Sequence, residues 1–399
     1  MGTVAKVVST VLVVFTLMAP YRARAGDLNP PPGPIMATHR TPISDASTPG
    51  DADSTFKITQ AGSYYLRGNI TGVAGEIGIE IAAAGVTLDL MGFQLLGGAG
   101  TFDGIRVSLP VQNVAIRNGA ILGWGQDGVD CSAVQGGNIL EGLRASGNTT
   151  DGIRSGVGSV VTGCTADNNG GDGFDVSNAT TITGCAANLN TGNGFSSGNM
   201  AVITNCSALT NTLDGFATGN GATIVNCSAR DNTENGFDLG LGCTVTSCSA
   251  YVNTLNGIDV GDGCTVSNCT ARLNGARGIM AADAVTITGC TADVNVSDGI
   301  RVNTNSQVTN NTCNDNGNGL AEANAGIRLD GAGNRAEGNT LTSNNNVGIE
   351  VDAAGNLVIR NWCRGNTTPI CDVGNSLIGP IVTTANIATE DSAQANFTN

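Results

Sequence analysis

Between Cys164 and Asn310 the chain alternates apolar and polar residues in runs of three, broken every few positions by Asn, Gly or Asp. Ile182 stands between Thr181 and Thr183, Cys164 and Ala166 flank Thr165, and Phe174 and Val176 flank Asp175. Period two over such short runs describes strands with one buried side, whereas a helix would place apolar residues at i, i+3 and i+4. Three such runs and three turns fill 21 residues, and the same 21 residues recur seven times. Each unit opens on Cys: Cys164, Cys185, Cys206, Cys227, Cys248, Cys269 and Cys290. An Asn follows five residues on (Asn169 to Asn295) and a Gly nine residues on (Gly173 to Gly299), and then comes Phe or Ile. A fixed period of this kind marks a repeat architecture in which each unit buries its apolar side only against its neighbours. Three strands per unit make one coil of a three-sided parallel solenoid, with coils about 4.8 Å apart.

Stacking then sets like on like. Ala166, Ala187, Ala208, Ala229, Ala250, Ala271 and Ala292 form a column where little room is left. The Asn column is expected to take a left-handed turn conformation and to bond its amides from coil to coil. Less regular coils open near Asn69, Leu95, Gly119 and Leu143. After the seven units come a longer coil from Asn311, with an insertion over 317–325, one from Asn339 and a partial one from Asn361. The expectation is an all-β solenoid over residues 53–375, about thirteen coils of 21–28 residues and roughly 60 Å of stacked strands. Strands around Phe56 and Tyr64 cap its open end. Residues 26–52 read as an exposed Pro-rich lead-in and 376–399 as a cap or tail.

The pattern Cys-x-Ala-x-x-Asn-x-x-x-Gly-(Phe/Ile) resembles the right-handed parallel β-helix repeat of the pectin-lyase-like superfamily, over roughly residues 53–375. The resemblance implies the fold and leaves the function open, because that scaffold hosts lyases, hydrolases, phage adhesins and secreted proteins of no assigned role.

Composition adds an address. Lys6, the apolar run Val7 to Ala19 and Ala23-Arg24-Ala25 read as a signal peptide over residues 1–25, so a secreted, cell-surface or periplasmic protein is expected. No later apolar run is long enough to span a membrane. The chain carries a net charge of −15, or about −18 (15 − 33) without residues 1–25, whose only charged residues are Lys6, Arg22 and Arg24. That balance argues against nucleic acid and anionic membranes as partners, and against tight binding of polyanions unless calcium bridges them. Thirteen cysteines in an exported chain suggest disulfides. Stacked strands, however, hold β-carbons about 4.8 Å apart, too far for a bridge. The Cys column therefore reads as buried free thiols, and Cys363 with Cys371 is the one disulfide candidate.

Outward positions hold the candidate chemistry. The strand before each Cys carries Thr181, Thr183, Thr204, Thr223, Thr244, Thr246, Thr265, Thr286 and Thr288, and the resemblance implies that this face bears the substrate groove. Hydroxyl rows suit glycan binding, a flat Thr array would suit ice or a crystal surface, and Thr is also an ordinary surface strand residue. Toward the N-terminus the same face turns charged: Asp89, Arg117 and Glu141 fall on consecutive coils. A lyase like those of the superfamily would draw its base and carboxylates from this trio; a salt-bridge ladder is the plainer reading. Trp124, in the following turn, could stack on a sugar ring. Asp103, Asp127, Asp151 and Asp172 precede the Gly markers as an acidic column that could hold calcium or simply serve Asp-Gly turns. The chain lacks the Asp-Asp, Gly-His-Gly and Arg-Ile-Lys motifs of polygalacturonase-like hydrolases, and its one His, His39, lies in the lead-in. The preferred reading is a non-enzymatic exported scaffold that binds a polysaccharide or cell-surface polymer. The alternatives are a polysaccharide lyase or hydrolase, and ice or crystal-surface binding.

Overall fold

The computed structural model describes residues 40–318, 324–372, 376–383 and 392–398. The expected signal peptide, the start of the lead-in and the centre of the 317–325 insertion lie outside them. The described chain is a parallel β-solenoid. Each regular coil has three strands of three residues, such as Phe174–Val176, Thr181–Thr183 and Ala186–Asn188. Here the face of Thr181–Thr183 is called the first, that of Ala186–Asn188 the second and that of Phe174–Val176 the third.

The third face is a sheet of 15 strands, two more than the coils expected from the repeat. The first and second faces belong to one 30-stranded sheet, because Ala115–Leu122 and Ile139–Ser146 run unbroken through the corner between them. Pairing is in register throughout the regular units: Ile182 lies opposite Ile203, Ala187 opposite Ala208, and Phe195 opposite Phe216. The columns expected from the repeat are therefore real. Rings of Phe174, Phe195, Phe216 and Phe237 stack at 4.8, 4.7 and 4.9 Å with nearly parallel planes.

The co-occurrence of Ala, Asn and Gly in the repeat has one steric cause. A Cβ placed on Gly173 would come within 2.7 Å of both the Asn190 amide nitrogen and the Gly194 carbonyl oxygen, and within 2.9 Å of the Ala187 Cβ. The marker glycine leaves the space in which the next coil's Asn and Ala sit. Each ladder Asn is buried and uses its whole amide. Asn190 Oδ1 accepts the Asn169 backbone N–H (3.1 Å) and side-chain amide (2.9 Å), while its own Nδ2 donates to Ala166 O and Asn211 Oδ1, both at 3.0 Å. The left-handed residue at this corner is the one before the ladder Asn: Asn168, Leu189, Thr210, Asp231 and Val252 have φ of 55–57°. The bonded column was expected correctly and its backbone conformation was not. The turn bends one residue earlier, so the amide can point inward.

The ends differ from the sequence expectation as well. Thr41–Pro42 pairs with Tyr64–Tyr65, Ile43 and Thr48 are buried, and Pro49 bridges Phe56 in the antiparallel sense. Residues 40–49 thus cover the first coil rather than forming an exposed lead-in. At the other end Leu377–Ile378, Ile381–Val382 and Asn396–Thr398 add strands to the sheet.

Candidate functional site

On the first face all nine candidate threonines point outward and are half-buried or exposed. Register puts Thr162, Thr183, Thr204, Val225, Thr246, Ser267, Thr288 and Thr309 in one outward column. Neighbouring hydroxyls meet within it: Thr183 to Thr204 at 3.1 Å, Thr246 to Ser267 at 3.0 Å, and Thr309 to Thr288 at 3.2 Å. From Val160 to Thr309 the outward positions are Thr, Ser, Val and Gln, with no ionisable group.

At the N-terminal end of this face Asp89, Arg117 and Glu141 do stand side by side on consecutive strands. Arg117 Nε lies 3.2 Å from Asp89 Oδ2, and Arg40 Nη2 lies 3.0 Å from the same oxygen. Asp89 Oδ1 accepts the Met91 N–H at 2.9 Å and the Asn118 amide at 3.3 Å. Burial pushes the Asp89 carboxyl up. The Met91 N–H, the Asn118 amide and the Arg117 and Arg40 charges outweigh that and leave it below the ordinary carboxylate value. A carboxylate so held is a fixed anion, and Arg117 is its partner. Glu141 is exposed and, among the described residues, makes no ion pair.

Trp124 is not a platform for a ligand. It is 1% exposed, inside the core, with Nε1 donating to Leu95 O at 3.2 Å. Its ring fills space left by glycines: a Cβ on Gly78 would come within 2.6 Å of the ring and one on Gly72 within 2.8 Å. Those glycines, both two coils before Trp124, are the sequence signal for its burial.

The acidic column is a capping ladder. Asp103 Oδ1 accepts the Asp127 N–H (2.9 Å), Asp127 Oδ1 the Asp151 N–H (2.9 Å), and Asp151 Oδ1 the Asp172 N–H (2.7 Å). The same position passes to Asn193, Asp214, Asn235 and Asn256, each accepting an N–H of the next coil. The second oxygens face arginine: Asp103 pairs with Arg106, while Arg154 reaches Asp127 at 3.3 Å, Asp151 at 3.4 Å and Asp175 at 3.1 Å. Burial pushes Asp103 and Asp151 up to about 6, and Asp172 upward too. These residues fit calcium poorly, because the oxygens that would ligate an ion already bind backbone N–H and guanidinium groups. A second group of carboxylates, Asp51, Asp53 and Glu80, converges within 4.8 Å, but Lys57 Nζ sits 2.7 Å from both Asp51 and Glu80 and supplies the cation.

The seven-Cys column consists of free buried thiols. Cys363 is a buried free thiol, pushed up by burial to about 12, while the side chain of Cys371, its expected partner, lies outside those described. Backbone pairing places Cys363 in the sheet of the first and second faces and Cys371 in the third.

One feature of the first face was not singled out from the sequence. Past Thr309 the outward pair becomes Arg335 and Glu337, with Arg360 at the following corner, around a depression of about 460 Å³. The change from Thr-x-Thr to Arg-x-Glu at an outward position of the repeat is visible in the sequence and was the available signal.

A three-sided parallel solenoid held by internal ladders defines the class. The chain belongs to the family described as the right-handed β-helix region, whose profile matches residues 127–265 and 215–367, together more than half of the chain. Solved structures to which the chain is similar include the A-module of the Azotobacter vinelandii mannuronan C-5 epimerase AlgE4, at 17% identity over 79% of this chain and 90% of that one (TM-score 0.42). Pectate lyase Pel9A matches at 18% identity over 61% of this chain and 72% of that one (TM-score 0.39). The N-terminal fragment of the bacteriophage Phi29 gene product 12 matches at 12% over 78% and 73% (TM-score 0.48). These likenesses concern the fold alone. No curated protein matches the chain. No helix among the described residues is long and apolar enough to cross a membrane.

Proposed function

We propose that this protein is an exported β-helix scaffold whose first face presents a hydroxyl ladder to a glycan or another surface polymer. The observation that carries the reading is the in-register outward column from Thr162 to Thr309, repeated at the strand spacing and free of ionisable groups. Hydroxyls both donate and accept, so a stacked row of them can exchange hydrogen bonds with the hydroxyls of a polymer lying along it. General acid–base catalysis needs a group that titrates near the working pH within reach of the bond. The middle of this face offers none, and Asp89 and Arg117 at its end hold each other.

The test is a glycan-binding and depolymerisation screen on the chain without residues 1–25, run with and without EDTA. Retention of a glycan without cleavage, unchanged by EDTA and nearly intact in Arg117→Ala, is the expected result. Release of unsaturated oligosaccharides that stops with EDTA and with Arg117→Ala would overturn it in favour of a calcium-dependent lyase.

A further inference from the structure

The depression at the C-terminal end of the first face has a chemistry unlike the rest of that face. Gln307 and Thr309, the last outward pair of the hydroxyl array, form one wall, and Arg335 and Glu337 lie directly opposite them on the next strand. Asn310 and Arg360 close it from the corner, where both hold left-handed backbone with φ of 57° and 60°. Glu337 sits between two guanidiniums. One of its oxygens pairs with Arg335, and the other lies 2.8 Å from Arg360 Nη1. Arg360 Nε donates to Ala393 O at 2.8 Å, which fixes that guanidinium from behind. Arg335 and Arg360 remain about half exposed (47% and 49%), while Glu337 is only 17% exposed.

Two arginines against one carboxylate leave this spot with a surplus positive charge on a chain of net charge −15. The named wall residues are polar donors and acceptors continuous with the hydroxyl ladder, so the place suits a polyhydroxylated ligand that also lies along that ladder. Arginine forks match carboxylates in geometry as well as charge. A carboxylate of the protein already occupies the position between them.

We propose that this depression is the anchoring subsite of the glycan-binding face. It takes the carboxylate of one acidic sugar residue by exchange with Glu337, which acts as an internal plug. This rests on the reading of the first face as a glycan-binding surface and adds the class of ligand. The outward positions between Thr162 and Thr309 are uncharged and the protein as a whole is acidic, so a densely charged polyuronate would be repelled elsewhere along the solenoid. The ligand that fits is a mainly neutral glycan carrying an isolated or terminal uronic acid.

Three oligosaccharides of equal length separate the outcomes in titration calorimetry with the chain without residues 1–25: a neutral one, one with a single uronic acid residue, and a polyuronate. The singly acidic ligand should bind tightest, at least tenfold tighter than the neutral one at low salt, with the advantage shrinking as salt rises. Arg335→Gln with Arg360→Gln should erase that advantage, so that the singly acidic ligand binds that variant no tighter than the neutral one. Glu337→Gln should act in the opposite direction and tighten the acidic ligand several-fold, because the plug no longer competes; a purely structural ion pair would give no such gain. Equal binding of neutral and acidic ligands by the wild type, or an acidic preference that survives the double arginine variant, overturns the anchoring subsite while leaving the glycan-binding face standing. Failure of all three ligands to bind overturns the face itself. Displacement of the acidic sugar by an acidic peptide at equal concentration would reassign the subsite to a protein partner and overturn the sugar.

Discussion

The corner between the first and second faces is built in two ways along the same solenoid. From Cys164 to Cys290 it is lined by thiols; from Asn311 to Asn396 it is lined by amides. In the thiol part the Sγ of Cys164, Cys185, Cys206, Cys269 and Cys290 accepts a backbone N–H from the coil before, Cys164 N to Cys185 at 3.4 Å and Cys269 N to Cys290 at 3.5 Å, and the thiols point at a distant carbonyl, as Cys185 does to Val161 O at 3.7 Å. In the amide part Asn339 Oδ1 accepts the Asn311 N–H at 2.9 Å and its side-chain amide at 3.1 Å, and Asn339 Nδ2 donates to Val308 O and Asn361 Oδ1, both at 2.9 Å. The junction is a single rung, where the Cys290 N–H finds Asn311 Oδ1 at 2.8 Å. The position asks for a small group that can accept an N–H while buried. A thiol meets the need weakly and packs as a hydrophobe; an amide meets it fully but must have every one of its own bonds returned. The thiol corner is held by packing and the amide corner by a polar chain.

That difference can be broken from either side. The largest effect is expected from charge in the thiol corner. Cys227→Asp buries a carboxylate with no cation in reach and should cost ~3–5 kcal/mol, read as a large drop in melting temperature; a melt like that of the wild type would show that Cys227 does not face inward. Truncation separates the two corners next. Asn339→Ala leaves buried N–H and C=O groups unpaired and should cost ~1–3 kcal/mol, whereas Cys227→Ala removes one sulfur and should cost no more than about 1 kcal/mol. Equal losses in urea titrations would erase the distinction.

The smallest effect concerns the Asp/Asn capping ladder, which mixes charged and neutral rungs. Burial pushes Asp214 up to about 6. Its folded value lies above the unfolded one of about 4, so the folded chain keeps the extra proton between those values. The stability it lends is complete below pH about 4 and is lost as pH rises through about 6. Asp214→Asn copies the neighbouring rungs Asn193 and Asn235, accepts the same N–H, and should raise stability at pH 7 by on the order of 1 kcal/mol while flattening the acid side of the melting profile. A lower melting temperature at pH 7 would show that the charge is needed.

Much of this was legible in the sequence, and the reason is repetition. Once seven units share a register, inward and outward positions follow, and with them the Ala, Asn and Cys columns and the alignment of Asp89, Arg117 and Glu141. What failed lies where the repeat gives no second copy. Trp124 stands alone in an irregular coil, and its place depends on glycines from other coils that no local pattern ties to it. The left-handed residue was placed on the Asn because Asn suits that conformation, yet Leu189 and Val252 adopt it one position earlier, obliged by the amide ladder that follows. The number of coils fell short because the strand around Phe56 reads as a cap and the coil from Asn361 as partial, whereas Ser54–Ile58 and Thr368–Asp372 each add a full five-residue strand to the third face. Arg335 and Glu337 were passed over because attention went to the regular units, although their departure from Thr-x-Thr was there to read.

The stacked rungs also bear on how the molecule would yield to force. In the regular units each coil touches only the one before and the one after, so the hydrogen bonds that join it to the rest form a closed set that can fail together. Drawn out from one end under tension, the regular part should come apart one rung at a time, and each event would free 21 residues, a contour length of about 70 Å at full extension. The protein would behave as a ratchet of equal steps, with a change of force where thiol rungs give way to amide rungs.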